Sequence, residues 1–576
     1  MAKKIVLENA FKKYTLDQDK IIPPEETTKR FKKKLTKLNL DILDKTERID
    51  TGRLGIPVYL SICTPNAQSI TGTKKQMGKG ATPQQAEASA VMELAERFSF
   101  FSFSKNQDNF FIDQFKNLKE KAIPFDMIAK SVHDSSDELD ITRRVFENLK
   151  LKWTSAYNLT RNEEILVPFD WFYAINEFNG PSAGNCKEEA ISQGICEIVE
   201  RHVSSLISQN RMNVPLIDIT SITDPLVIEM LQKYKTAGIS LFLSDFSLDM
   251  GIPTVGALAY DPSTFPEKSE IVWTAGTTPD PQKALSRGLT EVAQLAGDFN
   301  TGSNYVASGL PKFNELSDAA FITNADKTIP VANLPNVSNN NIKIEIQNCI
   351  SALEKKKMEV ILINTMHPLL EIPAFYTIIP GAHFRERAIG TSVGMFSAKH
   401  ITDTMEPKQA YSELEKIDVL LPNKYYIKFY QGLCCINMND PHSALDHFKS
   451  SLDLYPTKQD IPTIYSYMGV ALKEMERYKE AISVLREGVK LDKDRIDIFN
   501  LLGFCYFKLK KHEKAIENFK KVIQLDPSSA IDYANIASNY RDMGKREKAI
   551  HYYQIALDLD PSIDFARSNL EILLSS

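Results

Sequence analysis

Two segments of this 576-residue chain carry the same side chains in the same order. GKGATPQQAEASAVMELAERF starts at Gly78 and SAGNCKEEAISQGICEIVERH starts at Ser182. Aligned without a gap, Gly80 falls on Gly184, Ala86 on Ala190, Glu93 on Glu197, Glu96 on Glu200 and Arg97 on Arg201. A third segment, KALSRGLTEVAQ from Lys283, matches in part: Arg287 takes the place of Ser89, Glu291 that of Glu93 and Gln294 that of Glu96. Glu93, Glu96, Glu197, Glu200 and Glu291 would repel one another unless cations sat between them. Hard carboxylate oxygens that share cations with phosphates suit Mg²⁺. Glycine-containing turns ahead of two of the helices, with Lys79 and Asn185 standing in them, offer bare N–H groups to an anion. Together these features point to ATP held through several Mg²⁺ ions.

One such helix alone would carry little weight. Ser89, Glu93, Glu96 and Arg97 form one stripe, and a surface Glu93–Arg97 pair contributes only a few tenths of a kcal/mol. Val91, Ala95 and Phe98 face the other way, toward a core. The recurrence on further helices makes the stripe a candidate site. Helical patterns cover 83–103, 186–208, 223–237, 280–297 and 341–357, and strand-like runs cover 55–63, 240–245, 254–259, 271–275 and 359–364. This mixture predicts an α+β region of about 400 residues. The stretch PPEETTKRFKKKLTKLNLDIL reads as an amphipathic helix of that region, its basic face in solvent.

A formal net charge of −5 gives no global basic field for nucleic acid or an anionic membrane. No apolar run is long enough to span a bilayer. The seven cysteines include no C-x-x-C and read as reduced thiols, so a cytoplasmic location is expected. Other nucleotide signatures fail. GTKKQMGKG has one residue too many between Gly72 and Gly78 for a Walker A loop, and Gly80 stands where Ser or Thr is needed. His202 and His383 read as structural histidines.

The C-terminal part has a different texture. Small residues recur at Gly432, Gly469, Gly503 and Ala537, and again at Ala444, Ala481, Ala515 and Ala549. Pro456, Lys493, Pro527 and Pro561 keep the same step. A period of about 34 residues with helical spacing inside each unit resembles the tetratricopeptide repeat. About four repeats fill 425–561, and DFARSNLEILLSS is expected to cap them with a polar face. The boundary is expected between 400 and 424, giving domains at 1–410 and 425–576.

The first region resembles the YcaO family. The resemblance rests on G-K-G-x-T through E-x-x-E-R, on S-A-G-N with E-A-x-x-Q-G-x-x-E-x-x-E-R, on R-x-L-T-E-x-x-Q, and on I-I-P-G at Ile378–Gly381. These motifs spread over residues 55 to 400. The resemblance implies a YcaO-like fold with three ATP- and Mg²⁺-binding helices, and an enzyme that phosphorylates the oxygen of a peptide-backbone amide. A neighbouring Cys, Ser or Thr then attacks the activated carbon to give an azoline, or a sulfide donor attacks to give a thioamide. Carried onto this chain, it implies Glu93, Glu96, Glu197, Glu200 and Glu291 as Mg²⁺ ligands. Lys79, Ser89, Asn185, Glu189, Arg201 and Arg287 would contact nucleotide, with Gln294 supporting the third helix. No catalytic acid or base is assigned.

The chain departs from azoline-forming members. It ends NLEILLSS instead of in a proline-rich tail, shows no peptide-clamping winged helix before residue 50, and has Gly297-Asp298 where many members soon place a basic residue. These departures favour thioamide formation or another sulfur-linked modification of a peptide or protein. The repeats would recruit the substrate, a TfuA-like sulfur-delivery partner or a methylthiolating enzyme. The alternatives are an ATP-binding scaffold that assists methylthiolation of a ribosomal protein, and an azoline-forming cyclodehydratase.

Overall fold

The computed structural model describes residues 4–118, 120–302, 305, 307, 309–384 and 391–575. The chain forms two compact units, Met1–Ser135 with Glu147–Thr391 and Ser136–Phe146 with Ser392–Ser576. Among the described residues no helix is long and apolar enough to cross a membrane.

Among the described residues the first unit contains three sheets. Strands β1 (Leu43–Arg48), β2 (Val58–Cys63) and β3 (Lys75–Lys79) form an antiparallel sheet in that order. A second sheet has β4 (Phe111–Gln114), β5 (Lys150–Asn158), β13 (Ile361–Asn364), β14 (Ala374–Ile378) and β7 (Pro181–Ala183) in sequence, with β6 (Glu163–Pro168) on β5. The third runs β11 (Val272–Thr277), β10 (Thr254–Tyr260), β9 (Ser240–Asp245), β8 (Leu216–Ile217) and β12 (Thr328–Ile329). The expected strand at 55–63 begins only at Val58, because Gly55 has φ +63° and Pro57 has no N–H to pair.

The principal helices are α1 (Pro24–Leu38), α2 (Pro83–Lys105), α3 (Phe169–Asn176), α4 (Lys187–Gln209), α5 (Pro225–Thr236), α6 (Pro281–Ala296) and α7 (Ile342–Lys355). α1 buries Phe31 and Leu35 and turns its lysines to solvent. Each helix of the acidic motif starts on a side-chain cap. Thr82 accepts from Gln85 N–H before Pro83, Asp280 accepts from Gln282 N–H before Pro281, and the Cys186 sulfur accepts from Glu189 N–H. Two glycines let strand and helix backbones touch. A Cβ on Gly78 would lie 2.1 Å from Ala90 N, and one on Gly276 would lie 2.6 Å from Gly288 N. α2 and α6 are therefore set against β3 and β11 at backbone distance.

The second unit is helical. Pairs Tyr425–Asn437 with Pro441–Asp453, Ile461–Glu474 with Tyr478–Leu491, Ile496–Lys508 with His512–Leu525, and Ala530–Asp542 with Arg546–Leu559 share one continuous core. Gly469 and Gly503 meet Leu485 and Phe519 of their partner helices, so the periodic small residues mark the crossing points. This unit also takes in Val393–Thr404, Pro407–Leu420 and the segment 136–146, so the expected boundary at 400–424 falls inside it. The terminal helix Asp564–Ser575 departs from the polar-faced cap expected: Phe565, Ile572 and Leu574 are 41%, 65% and 58% exposed. Its apolar residues outnumber the positions that one packing face can bury, and Ala566 alone is fully enclosed.

Candidate functional site

α2, α4 and α6 converge with β3 on a polar cleft of about 250 Å³. Lys79 reaches it from β3; Ser89, Glu93 and Glu96 from α2; Asn185 from the turn before α4; Glu189, Glu197, Glu200 and Arg201 from the start and middle of α4; Arg287, Glu291 and Gln294 from α6. All the residues assigned from sequence thus line one cavity, and Arg97 lines it with them. Gln18, Lys20, Thr27, Met77, Gln85 and Gln193 are among the further wall residues that were not assigned from sequence. For Gln193 a signal existed, since it stands on α4 where Ser89 stands on α2 and Arg287 on α6. Gln18 and Lys20 lie in a segment without periodicity and carried none.

Burial dominates the electrostatics of two of the carboxylates. Burial raises Glu96 well above the ordinary carboxyl range, and the nearby Glu93 adds to that. Burial also raises Glu197, against the pull of Arg201 and Arg97. Arg97 bonds Glu93 at 2.9 Å and lies 3.5 Å from Glu96. Burial opposes the Arg97 charge, but the Glu93, Glu96 and Glu197 carboxylates outweigh it and raise its pKa. Lys79 pairs with Glu291. Burial and the Arg287 guanidinium pull the Lys79 ammonium down to about 7, against the attraction of Glu200.

The cationic groups are positioned by other side chains. Arg287 Nη1 donates to Gln193 Oε1 at 3.1 Å, and Arg287 Nε lies 3.4 Å from Glu200 Oε2. Glu200 Oε2 in turn accepts from Thr277 N–H at 3.1 Å, which ties α4 to the end of β11. The Nε–H groups of Arg201 and Arg287 are buried and have no hydrogen-bond partner among the described residues. Glu189 is fully engaged: Oε1 accepts from Ile21 N–H at 2.6 Å, and Oε2 accepts from the backbone and side-chain N–H groups of Asn185, both at 2.9 Å. Thr27 donates to Asn185 Oδ1 at 3.0 Å, so the second glycine turn is latched to the N-terminal segment.

The donor set fits Mg²⁺ in a particular way. Among the described residues no three His, Cys, Asp or Glu side chains converge to hold an ion by themselves. Mg²⁺ ordinarily takes one or two carboxylates and completes its octahedron with phosphate oxygens and water. Separated carboxylates, with Glu96 and Glu197 raised by burial, and orphaned guanidinium N–H groups meet that requirement once a polyphosphate lies between them.

The histidines form a separate cluster. His383 N–H donates to His202 Nδ1 at 3.0 Å, and the His133 and His383 rings stack at 3.7 Å. Burial, with help from its histidine neighbours, lowers His202 to about 3, and burial and His383 lower His133 to about 4. None of the three lines the cleft.

A family model described as YcaO cyclodehydratase, ATP- and Mg²⁺-binding, matches residues 77–383, and tetratricopeptide-repeat models match 463–495, 496–529 and 533–563. An uncharacterised protein of Methanothermobacter thermautotrophicus is 27% identical over 62% of this chain and 94% of its own length. A Rhizobium leguminosarum bv. trifolii protein, described as uncharacterised and in a tfuA 3′ region, is 22% identical over 63% of this chain and 88% of its own. The ribosomal protein S12 methylthiotransferase accessory factor YcaO of Escherichia coli is 26% identical over 38% of this chain and 40% of its own. Among solved structures, a heterocyclase in complex with substrate and cofactor has the same fold at 21% identity and a TM-score of 0.53, over 66% of this chain and 55% of that one.

Proposed function

The chain belongs to the YcaO family, and from that premise we propose that it uses ATP to activate a backbone amide of a peptide or protein for attack by sulfur. The observation that supports this most strongly is the cleft into which three helices bring five carboxylates, Arg201 and Arg287, and β3 brings Lys79. Glu93, Glu96, Glu197, Glu200 and Glu291 would hold Mg²⁺, which supplies charge neutralisation to the phosphates. Ser89 and the orphaned N–H groups of Arg201 and Arg287 donate to phosphate oxygens, and Gln193 aims Arg287. Lys79 adds a further donor on the Glu291 side. Asn185 and Glu189 fix the turn at the head of α4, and Gln294 completes the wall on α6.

The chemistry then depends on positioning. The substrate amide oxygen attacks the terminal phosphorus of ATP and ADP leaves, converting a poor leaving group into phosphate. A sulfide equivalent adds to the activated carbon, phosphate departs, and a thioamide remains. The Rhizobium relative's description as lying in a tfuA 3′ region supports delivery of sulfur by a TfuA-like partner, with the repeats as its docking element or that of the substrate. The seven cysteines are all free, in keeping with a cytoplasmic setting. A second reading, an ATP-binding scaffold for a methylthiolating enzyme, draws on the accessory role in the Escherichia coli relative's description.

The test has two parts. Purified protein should hydrolyse ATP slowly with Mg²⁺, and Glu93→Ala should abolish that turnover. Tight ATP binding without turnover, even with cell extract added, would support the scaffold. Mass spectrometry of proteins from cells with and without the gene then identifies the reaction: oxygen replaced by sulfur marks a thioamide, and loss of water marks an azoline.

A further inference from the structure

The helix that carries Glu93, Glu96 and Arg97 continues into R-F-S-F-F-S-F, in which residues 98–100 are buried and 101–103 only half-buried. Phe101 and Phe103 of α2, Phe110, Tyr173 of α3 and Phe178 form a linked ring surface. Phe178 lies 5.8 Å from Phe101 and 6.3 Å from Tyr173, and Phe103 lies 5.3 Å from Phe110. Buried Phe169 supports it, 6.1 Å from Phe103 and 4.9 Å from Phe110. Phe178 is 48% exposed, and on the adjoining strand β4 Ile112, which alternation places on the side of Phe110, is 71% exposed. β4 ends its sheet: among the described residues its only strand partner is β5. An apolar surface beside an open strand edge marks an interaction site.

This surface is continuous with the cleft. Arg97, which bonds Glu93 inside it, donates from Nη1 to the Phe178 carbonyl at 3.3 Å. Along α2, Phe101 and Phe103 follow Arg97 by ~6–9 Å, the reach of about two or three extended residues. Whatever covers the aromatics therefore also lies beside the carboxylates. A segment of the polypeptide being modified meets both conditions, because its amide must reach the carboxylates while its neighbours run outward.

We propose that the surface of Phe101, Phe103, Phe110, Tyr173 and Phe178, with edge strand β4, binds the apolar residues that flank the modified amide in an extended polypeptide substrate. This rests on the amide-activation reading and adds a sequence requirement to it. Side chains at alternate positions of the bound segment meet the aromatics, and the segment's main chain lies along β4.

The test pans phage-displayed random peptides on the full-length protein with Mg²⁺ and a non-hydrolysable ATP analogue. The selected pool should be enriched in apolar residues at alternate positions. A fluorescent peptide from that pool should bind the Phe178→Ser/Ile112→Glu variant at least about tenfold more weakly, while basal ATP hydrolysis is retained. A pool without apolar enrichment, or equal binding by the variant, overturns the proposal. So does a wild-type dimer that the substitutions split into monomers, which would assign the surface to a second copy. Absent ATP turnover in the wild type would instead count against amide activation and leave the peptide selection readable.

Discussion

Arg287 and Gln193 occupy the same position in their respective copies of the acidic segment, and the structure joins them: Nη1 of the arginine donates to Oε1 of the glutamine at 3.1 Å. The site is thus a set of equivalent positions on three helices, with side chains that differ so that they can bond across the cleft.

Gln193→Ala should leave Arg287 without its neutral partner and free to collapse onto Glu200, 3.4 Å away. Loss of a hydrogen bond to a charged group predicts a rise of about tenfold in the KM for ATP, with thermal stability little changed. Steady-state hydrolysis across ATP concentrations and calorimetry check this together.

Glu200→Gln separates two roles. The amide oxygen can still accept from Thr277 N–H, so the junction of α4 with β11 should survive. The lost charge should abolish Mg²⁺-dependent ATP turnover while the melting temperature stays within a few degrees of wild type. Equal turnover in this variant and wild type would remove Glu200 from the site.

Binding of Mg²⁺ and nucleotide should release protons. Burial raises Glu96 and Glu197, so the folded protein keeps protons there that the unfolded chain has already lost. For such groups stability declines as pH rises from the unfolded value toward the folded one. An added cation favours the ionised form, so affinity for the Mg²⁺–nucleotide pair should rise with pH over that interval. Calorimetric titrations in buffers of different ionisation enthalpy measure the released protons directly.

The histidine cluster gives an opposite trend. His202 and His133 are held neutral, down to about 3 and about 4, whereas the unfolded chain takes up protons near the ordinary imidazole value. Stability should fall as pH drops from about 6.5 and level off below the folded values, with an upper bound of about 8 kcal/mol for the two groups together. His202→Asn, which keeps an acceptor for His383 N–H, should flatten that part of the pH–stability curve.

Gly78→Val should be among the most damaging single changes outside the cleft. Any Cβ there meets Ala90 N at 2.1 Å, so β3 and α2 must separate and carry Lys79 and Glu93 apart. A loss of about 2–3 kcal/mol by chemical denaturation, with weakened ATP binding, is expected.

The legible parts of this protein are those written locally. Thr82-Pro83 and Asp280-Pro281 announce helix starts, and the recurring E-x-x-E-R aligns the side chains that later share a cleft. The repeats were legible because each unit repeats its neighbour's contacts. Gln18 and Lys20 could not be found in this way. Their segment is placed by bonds to remote groups: Asp17 accepts from Ala81 N–H, the Leu16 carbonyl accepts from Lys283, and Ile21 N–H reaches Glu189. Nothing in the order of residues 4–22 encodes those partners. The aromatic run at the end of α2 was equally silent, because burial there grades from buried at 98–100 to half-buried at 101–104 without a helical stripe.

The segment 136–146 belongs to the helical unit although the chain makes it before most of the first unit. Within that unit Glu138 pairs with Lys424 at 2.6 Å, and Val145 and Phe146 are buried. During synthesis these residues emerge roughly 250 residues before their partners, a wait on the order of ten seconds to a minute at ~5–20 residues per second. The two units are therefore not beads that could be cut apart after Thr391. A protein ending there would keep the amphipathic helix Leu139–Glu147 without Lys424, the ion-pair partner of Glu138, and the helical unit made alone would lack the segment 136–146.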